Sequence, residues 1–228
     1  MTDLKKPFAP EFELKPGQEE VQVTSMVLGT FVVKFDLPMQ LIDDINKAYD
    51  ENVNKLPEFN QMLAGKIAEE KLINDILTPE MKGTFLHCFK TYLEITKKSH
   101  WVGYLDQAWI NEMKSGEYNP NHFHTSKLSD LGLSSVLMLK RPSTYGKEPS
   151  PSEHSATNGF LEFISGDQGA LNISQIRMDA KVGEFYVFPF SLYHGVYPFN
   201  GTDEVRRTMS INCNLFKPSQ VPESKESK

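Results

Sequence analysis

Three histidines stand where their side chains could hold one metal ion. His122 and His124 are separated by a single residue, and His194 follows an aromatic run later in the chain. Residues two apart on an extended segment point to the same side, so the first two imidazoles can face one point. Imidazole nitrogen is a common ligand for iron, zinc and copper. A His-x-His pair alone also fits two surface histidines, but together with His194 it predicts a metal site.

The other three histidines lie in less suggestive surroundings. His87 falls beside the apolar stripe of a predicted helix, His100 lies at a predicted helix-to-strand junction, and His154 stands in a polar loop. We interpret them as packed or solvated imidazoles without a chemical role.

A second candidate feature is the segment that begins at Arg206. Strand alternation places polar residues on one face of this segment: Arg206, Thr208, Ser210, Asn212 and Asn214. The opposite face is apolar, with Met209, Ile211, Cys213 and Leu215. The polar face fits either a solvated outer surface or the lining of a polar cavity. In a cavity, Arg206 would offer a bidentate cation to a carboxylate, with the Ser210 hydroxyl beside it. Arg207 belongs to the apolar face, and we expect its long side chain to reach water.

Helices are predicted in the first half of the chain. Apolar spacings of three and four predict one helix over residues 41–53. A second runs to residue 95 and begins with Thr78 as N-cap, followed by proline at its first position. We also predict a helix over residues 63–77, and a strand over 30–35 before the first helix.

Strands are predicted from residue 100 onward, where short apolar runs alternate with turn signals. Their ranges are 102–113, 134–139, 159–164, 171–178, 184–188 and 206–216. Many short strands in succession favour a sandwich or barrel over alternating βα units. The sequence therefore predicts an α+β fold whose helices pack on the outside of one sheet. The candidate ligands fall at the ends of its strands.

Composition limits the classes of function. The 228 residues carry a formal net charge of −6, which argues against nucleic-acid binding, and neither a membrane span nor a signal peptide is predicted. We therefore expect a cytoplasmic protein, with Cys88 and Cys213 as buried, reduced thiols. Flexible tails are predicted at 1–20 and 217–228, with a single domain over 21–216. Its helical support would cover about 39–99 and its β-core about 101–216.

One connection, residues 141–158, is too long and too rich in proline and serine to be a simple turn. Loops of this length are typical of lids and binding loops, and we predict a substrate lid here.

These motifs together resemble the iron- and 2-oxoglutarate-dependent oxygenases. That family carries a His-x-(Asp/Glu)…His triad and a basic residue about one strand after the last histidine, and here Arg206 follows His194 by twelve residues. The sequence is most similar to oxygenases common in marine bacteria and their phages, whose motifs resemble the stretches 109–139 and 188–212 and, more weakly, 63–67. The resemblance covers roughly residues 30–216.

The resemblance implies a double-stranded β-helix core, jelly-roll or cupin-like, with flanking N-terminal helices. Fe(II) would be held by His122, His124 and His194, and Arg206 would bind the far carboxylate of 2-oxoglutarate. Further cosubstrate contacts are implied at Thr208 and Ser210, on the same predicted strand as Arg206, and at Asn111. The implied reaction uses O2 to convert 2-oxoglutarate to succinate and hydroxylates a small-molecule or peptidyl substrate. If the chain is phage-encoded, it would act in the host cytoplasm.

The sequence departs from the family pattern at the middle ligand. His124 replaces the expected carboxylate, and the nearest carboxylate downstream is Asp130. A 2-His-1-carboxylate set is usual for such iron sites, although three imidazoles also suit Fe(II). Two alternatives to the oxygenase therefore remain. One is a cupin-type three-histidine iron enzyme that needs no 2-oxoglutarate, and the other is a non-catalytic β-sandwich that acts as a structural or phage component.

Overall fold

A computed structural model describes residues 29–59, 65–148, 157–166, 169 and 172–220. It contains two α-helices, α1 over Met39–Asn52 and α2 over Pro79–Ile95. Helix α2 begins as the sequence predicts, because the Thr78 side chain accepts a hydrogen bond from the Met81 backbone N–H. The predicted tail 1–20 lies outside the described residues, as do residues 221–228 of the second tail.

The strands found in these residues form two antiparallel sheets. In chain order they are β1 Val33–Asp36, β2 Glu69–Leu72, β3 Val102–Met113, β4 Asn119–His122, β5 Gly132–Lys140, β6 Leu161–Ile164, β7 Gln175–Met178, β8 Glu184–Pro189, β9 Tyr193–Val196 and β10 Arg206–Phe216. The main sheet has the order β1-β8-β5-β10-β3-β2, and the second sheet has the order β4-β9-β6-β7. This arrangement is the double-stranded β-helix that the resemblance implied.

The helices cover one face of the main sheet, as predicted. Helix residues such as Ile45 and Phe85 share one core with β10 residues such as Met209 and Ile211. Burial of this apolar area fixes which face of β10 points to the helices. Cys88 and Cys213 are free, buried thiols in this core.

The opposite face of the main sheet packs on the second sheet. Its apolar part joins Val136 and Phe188 of the main sheet to Leu161 and Phe163 of the second. The polar face of β10 points the same way, since side chains on one strand alternate between its two faces. Thr208, Ser210 and Asn212 are all buried, so this face is the interior lining and not a solvated outer surface.

The helix predicted over residues 63–77 is wrong where the structure describes it. Residues 69–72 form strand β2, which pairs with β3 at the edge of the main sheet, while 60–64 lie outside the described residues. Before β2, the backbones of Lys66 and Tyr118 exchange two hydrogen bonds, and a Cβ on Gly65 would lie 2.8 Å from the Pro120 ring, so residues 65–66 pair with the start of β4 and do not form a helical turn. The predicted helical support over 39–99 therefore contains a strand.

Two further strands at the site were not predicted, namely β4 and β9, which end or begin within one residue of His122 and His194. No helix within the described ranges is long and apolar enough to cross a membrane.

Candidate metal and cosubstrate site

The three predicted ligands come together between the ends of the strands. One ring nitrogen from each of His122, His124 and His194 lies within 4.8 Å of the others. His122 and His194 are paired directly across β4 and β9, and Nε2 of His124 lies 3.2 Å from Nε2 of His194. Nitrogens at adjacent positions around one ion, each at ~2.1 Å, lie about 3 Å apart. The spacing therefore fits ligation of one metal ion.

Backbone hydrogen bonds orient two of the imidazoles. His122 Nδ1 donates to the Pro120 carbonyl at 2.8 Å, and His194 Nδ1 donates to the Leu192 carbonyl at 3.0 Å. With Nδ1 protonated, Nε2 of each ring keeps its lone pair for a metal, the arrangement usual around metal-binding histidines.

Burial keeps these imidazoles neutral. It lowers the pKa of His122, lowers that of His124 to about 3, and lowers that of His194 well below its ordinary value. Repulsion between the neighbouring rings adds to the lowered pKa values of His124 and His194. Since a histidine must be unprotonated to bind a metal, all three groups are ready for ligation at neutral pH.

Asp130, the alternative middle ligand, is not in this cluster. Its side chain is exposed and lines a separate surface cavity together with Lys127 and Phe216. His87 and His100 are exposed, which agrees with the solvated one of the two interpretations, and His154 lies outside the described residues.

Arg206 is fully buried and has no carboxylate partner among the described residues. Its Nε donates to the Gly159 carbonyl at 3.1 Å, Nη1 lies 4.0 Å from the Met113 sulfur, and Nη2 has no hydrogen-bond partner. Burial lowers the pKa of the guanidinium. A buried cation with a free donor nitrogen is costly unless an anion binds to it. The surroundings of Arg206 therefore fit a carboxylate ligand.

Glycine at position 159 allows this arrangement. Its φ is +70°, and a Cβ there would lie 2.4 Å from the Tyr145 ring. Without a side chain at this point, the backbone can turn its carbonyl to Arg206 while Tyr145 packs alongside. The Tyr145 hydroxyl is buried and forms no well-formed hydrogen bond within the described ranges, yet it lies close enough to Arg206 to oppose the lowering of the pKa of the guanidinium.

The other predicted cosubstrate contacts line the same interior face. Thr208 pairs with Asn111 across β10 and β3, and Ser210 pairs with Trp109. The Trp109 ring lies 5.8 Å from the His124 ring, so this strand pair links the region of Arg206 to the histidines. The Asn111 Oδ1 is buried and has no hydrogen-bond partner in the described part of the chain. Their roles toward a cosubstrate stay predictions.

The prediction for Arg207 is wrong, because this side chain does not reach water. It is 4% exposed and donates to Glu112 at 2.7 Å, to Asn46 at 2.9 Å and to Asp50 at 2.6 Å. Two of these partners belong to α1, which covers the strand end and leaves no route to solvent.

Sequence reasoning missed three residues that the structure places on or beside this face. Trp109 is only the first residue of the motif stretch 109–139, Tyr145 stands in the loop 141–158 without periodicity, and Glu70 falls within the predicted helix 63–77. The part of that loop over 141–148 is described and places Tyr145 near Arg206, whereas 149–156 lie outside the described residues. The lid therefore stays a prediction.

The side chains at this site fit both Fe(II) and 2-oxoglutarate, the two groups that the resemblance implies. Three neutral imidazole nitrogens suit Fe(II), and the unpartnered nitrogen of Arg206 suits one carboxylate of 2-oxoglutarate.

Comparison with known proteins agrees with this geometry. Residues 107–212 match the family described as "Putative 2OG-Fe(II) oxygenase", and this stretch contains all three histidines and Arg206. A search of the curated proteins returns no match.

Several solved structures share the fold. A Pseudomonas putida prolyl-4-hydroxylase is 15% identical, with 82% of this chain and 92% of that chain covered and a TM-score of 0.51. The viral collagen prolyl hydroxylase of Paramecium bursaria Chlorella virus-1, solved with 2OG, is 14% identical over 80% and 94%, with a TM-score of 0.50. The α-ketoglutarate-dependent carbocyclase SnoK from nogalamycin biosynthesis is 12% identical over 85% and 84%, with a TM-score of 0.55.

At these identities the likeness to the solved structures is one of fold, and the family match is confined to residues 107–212. The predicted closeness to marine and phage oxygenases stays a prediction. The segment 107–212, with its histidine cluster and Arg206, is thus similar to the 2OG-Fe(II) oxygenases, and the chain shares the double-stranded β-helix fold of the solved structures named above.

Proposed function

We propose that this protein is an Fe(II)- and 2-oxoglutarate-dependent dioxygenase that hydroxylates a C–H bond of a small-molecule or peptidyl substrate. The observation that carries the proposal is the fully buried Arg206 with its unpartnered Nη2, on the sheet face that leads to three neutral imidazoles. A buried cation and a metal-ligand cluster on one interior face match a cosubstrate that has a carboxylate at one end and a metal-chelating keto acid at the other.

His122, His124 and His194 would hold Fe(II). The backbone bonds from Nδ1 fix the ring orientation of His122 and His194, so two ligand nitrogens are aimed before the metal arrives. Because all three ligands are neutral, the charge of the ion is left for anionic groups of the cosubstrate to balance.

Arg206 would bind the far carboxylate of 2-oxoglutarate, with Thr208, Ser210 and Asn111 as further contacts. The guanidinium is held in place by the Gly159 carbonyl, so its remaining donor is oriented in advance. Apolar residues around the cluster, such as Phe188 with its ring 4.5 Å from that of His194, exclude water from the reacting groups.

When bound, Fe(II) and 2-oxoglutarate supply the oxidation: the keto acid loses CO2 to become succinate, which takes one atom of O2, and the other atom enters the substrate C–H bond. The chain's own residues bind and orient these groups. We expect the reaction to take place in the cytoplasm, on one domain spanning residues 21–216, without nucleic-acid partners.

Metal and cosubstrate titrations test the proposal. We expect the full chain, purified without oxygen, to bind about one Fe(II), and His194→Ala to lose most of it, with the exposed His87→Ala as control. His124→Ala should lose metal affinity, and Asp130→Ala should not. The reverse order would restore a His-Asp-His triad.

The cosubstrate is tested by anaerobic titration of 2-oxoglutarate into the Fe(II) protein, followed by absorbance of the chelate. Arg206→Met should weaken binding about 10- to 100-fold, since a charge-assisted hydrogen bond contributes ~1.5–3 kcal/mol. Arg207→Lys, which changes the neighbouring cation, should not. Iron binding with no response to 2-oxoglutarate would favour the cupin-type enzyme, and absence of both would favour a non-catalytic sandwich.

A further inference from the structure

The edge strand β2 carries a buried carboxylate that the proposed reaction does not use. Glu70 is 1% exposed, and its Oε2 has no hydrogen-bond partner within the described ranges. The preceding residue, Glu69, points to the opposite face, where it accepts a hydrogen bond from the Tyr49 hydroxyl of α1 at 3.1 Å. By strand alternation Glu70 therefore lies on the interior face, toward the second sheet.

Strand register places Glu70 beside the proposed cosubstrate contacts. It pairs with Asn111 across β2 and β3, and Asn111 in turn pairs with Thr208 on β10. Two residues along β2, Leu72 pairs with Trp109, whose ring contacts that of His124. Glu70 is thus the outermost member of the row Thr208–Asn111–Glu70, one row from the residue that reaches the metal site.

Two buried acceptor oxygens in this row, on Glu70 and Asn111, could accept hydrogen bonds from a ligand. Directly paired residues on neighbouring strands have Cβ atoms about 4.5–5.5 Å apart, so the Glu70 carboxylate and the Asn111 amide can meet the same group. Oε2 of Glu70 and Oδ1 of Asn111 are both buried, and neither has a hydrogen-bond partner among the residues that the structure describes. Burying a carboxylate without a partner is costly, and a ligand with N–H donors would remove that cost.

The missing partner is not 2-oxoglutarate. That cosubstrate is a dianion, which an ionised carboxylate repels, and Arg206 already offers it a cation with a free nitrogen. The interior face therefore presents a positive group and a negative group in different rows. An anionic ligand suits the first, and a cationic ligand suits the second.

We propose that Glu70, together with the Asn111 amide oxygen, binds an ammonium or guanidinium group of the primary substrate, which is accordingly a cationic amine. This inference rests on the proposed oxygenase function and names its substrate class. The amine is either free or carried by a Lys or Arg side chain of a peptide. Asn111 would contact both ligands, accepting from the amine through Oδ1 and donating to the cosubstrate through Nδ2.

The state of the Glu70 carboxyl supports this assignment. Desolvation by burial raises its pKa to about 7, so near neutral pH the group is held close to the point of losing its proton. A cation that enters beside it favours the ionised form and turns a poorly solvated carboxylate into half of an ion pair.

Calorimetric titration tests the inference. The probes are putrescine, L-lysine, L-arginine and an oligopeptide with one internal lysine, each with its N-acetylated counterpart, titrated into the anaerobic Fe(II)–2-oxoglutarate protein. We expect at least one cationic probe to bind and its acetylated form to bind at least tenfold more weakly. Binding of the free amines or of the peptide shows which source the site takes.

Variants assign the binding to Glu70. Glu70→Gln should weaken the bound probe about 10- to 100-fold, whereas Glu69→Gln, the same change on the opposite face, should alter it less than about threefold. Glu70→Asp keeps the charge and should lose less affinity than Glu70→Gln, and it serves as the test if the Gln variant does not fold. Under air, the same probe should raise succinate formation in the wild type.

The outcomes separate this inference from the proposed function. If 2-oxoglutarate binds but no cationic probe does, or if Glu70→Gln binds the probe as the wild type does, the amine site is overturned and the oxygenase stands. If 2-oxoglutarate itself fails to bind, the oxygenase proposal fails and takes this inference with it.

Discussion

The two faces of the main sheet differ in whether their buried charged side chains have partners within the protein. Arg206 and Arg207 are adjacent on β10 and are both almost completely buried. On the helix side, Arg207 contacts Glu112, Asn46 and Asp50, and its guanidinium lies 4.5 Å from the Tyr49 ring centre. On the interior side, Arg206 contacts a carbonyl and a sulfur and keeps one nitrogen without a partner.

The same contrast recurs on β2. Glu69 accepts a hydrogen bond on the helix side, while Glu70 on the interior side has an oxygen that no described residue pairs. Burial is therefore not the feature that separates structural charge from functional charge here. The separating feature is whether the chain itself supplies the partner, because a buried polar group left unpaired lowers stability unless a ligand completes it. Predictions that remove one charge from each face test this difference.

The largest effect on stability is expected for Arg207→Met. This change leaves the Glu112 carboxylate, whose side chain is 13% exposed, without its cation. Removing one partner of a buried ion pair typically costs about 3–5 kcal/mol, and we expect a loss of that size in the free energy of unfolding. Urea unfolding of the metal-free protein measures it. A loss below about 1 kcal/mol would show that the helix-side pairs contribute little to stability.

Glu70→Gln should increase the free energy of unfolding, in contrast to Arg207→Met, and the size of the increase should depend on pH. The folded-state pKa is about 7 against an ordinary value of 4.5, so the unfolded chain gives up this proton first as the pH rises. Wild-type stability attributable to Glu70 is therefore fully present below pH ~4.5 and is lost as the pH passes through 7. At ~1.4 kcal/mol per pKa unit, the loss is about 3 kcal/mol.

The glutamine variant has no such proton. We expect it to match the wild type at pH 4.5 and to exceed it by about 3 kcal/mol at pH 8 in unfolding experiments at both values. A variant that is less stable than the wild type at both pH values would mean that the Glu70 carboxylate has a structural partner.

Much of this contrast was readable from the sequence, but only within single strands. Alternation along β10 correctly separated Arg206 from Arg207, and the His-x-His spacing correctly brought His122 and His124 to one point. What alternation cannot give is the identity of the partners on other elements. The prediction for Arg207 was wrong because α1, more than 150 residues earlier in the chain, delivers Asn46 and Asp50 to it.

The residues missed at the site were missed for related reasons. Glu70 lies in a short edge strand whose apolar neighbours have a spacing that also fits a helix. Only the pairing with β3, which the sequence does not show, identifies the segment as a strand. Tyr145 belongs to an irregular loop, where no periodicity predicts which side chain turns inward. The fold class, by contrast, followed from the many short strands and from two helices with clear apolar stripes.

Arg206→Met should change the free energy of unfolding little when 2-oxoglutarate is absent. No carboxylate in the described ranges loses its cation, so we expect the free energy of unfolding to change by less than about 1 kcal/mol. The loss should appear once 2-oxoglutarate is present: at 100 times the dissociation constant it stabilises the anaerobic Fe(II) wild type by about 2.7 kcal/mol. With affinity weakened about 30-fold, the variant should keep only about 1 kcal/mol of this. An equal response of both proteins would remove Arg206 from the cosubstrate site.

The smallest expected effect is that of Tyr145→Phe. The Tyr145 hydroxyl is buried beside Arg206 and forms no well-formed hydrogen bond within the described ranges, so its removal deprives none of those residues of a strong partner. We therefore expect the free energy of unfolding without ligand to stay within about 0.5 kcal/mol of the wild type. If the hydroxyl donates to the carboxylate that Arg206 binds, the affinity for 2-oxoglutarate should fall about threefold to tenfold, the effect of one hydrogen bond. Iron binding is the internal control and should not change. A variant that loses stability but binds 2-oxoglutarate normally would show that the Tyr145 hydroxyl, like the Arg207 guanidinium, has a structural role.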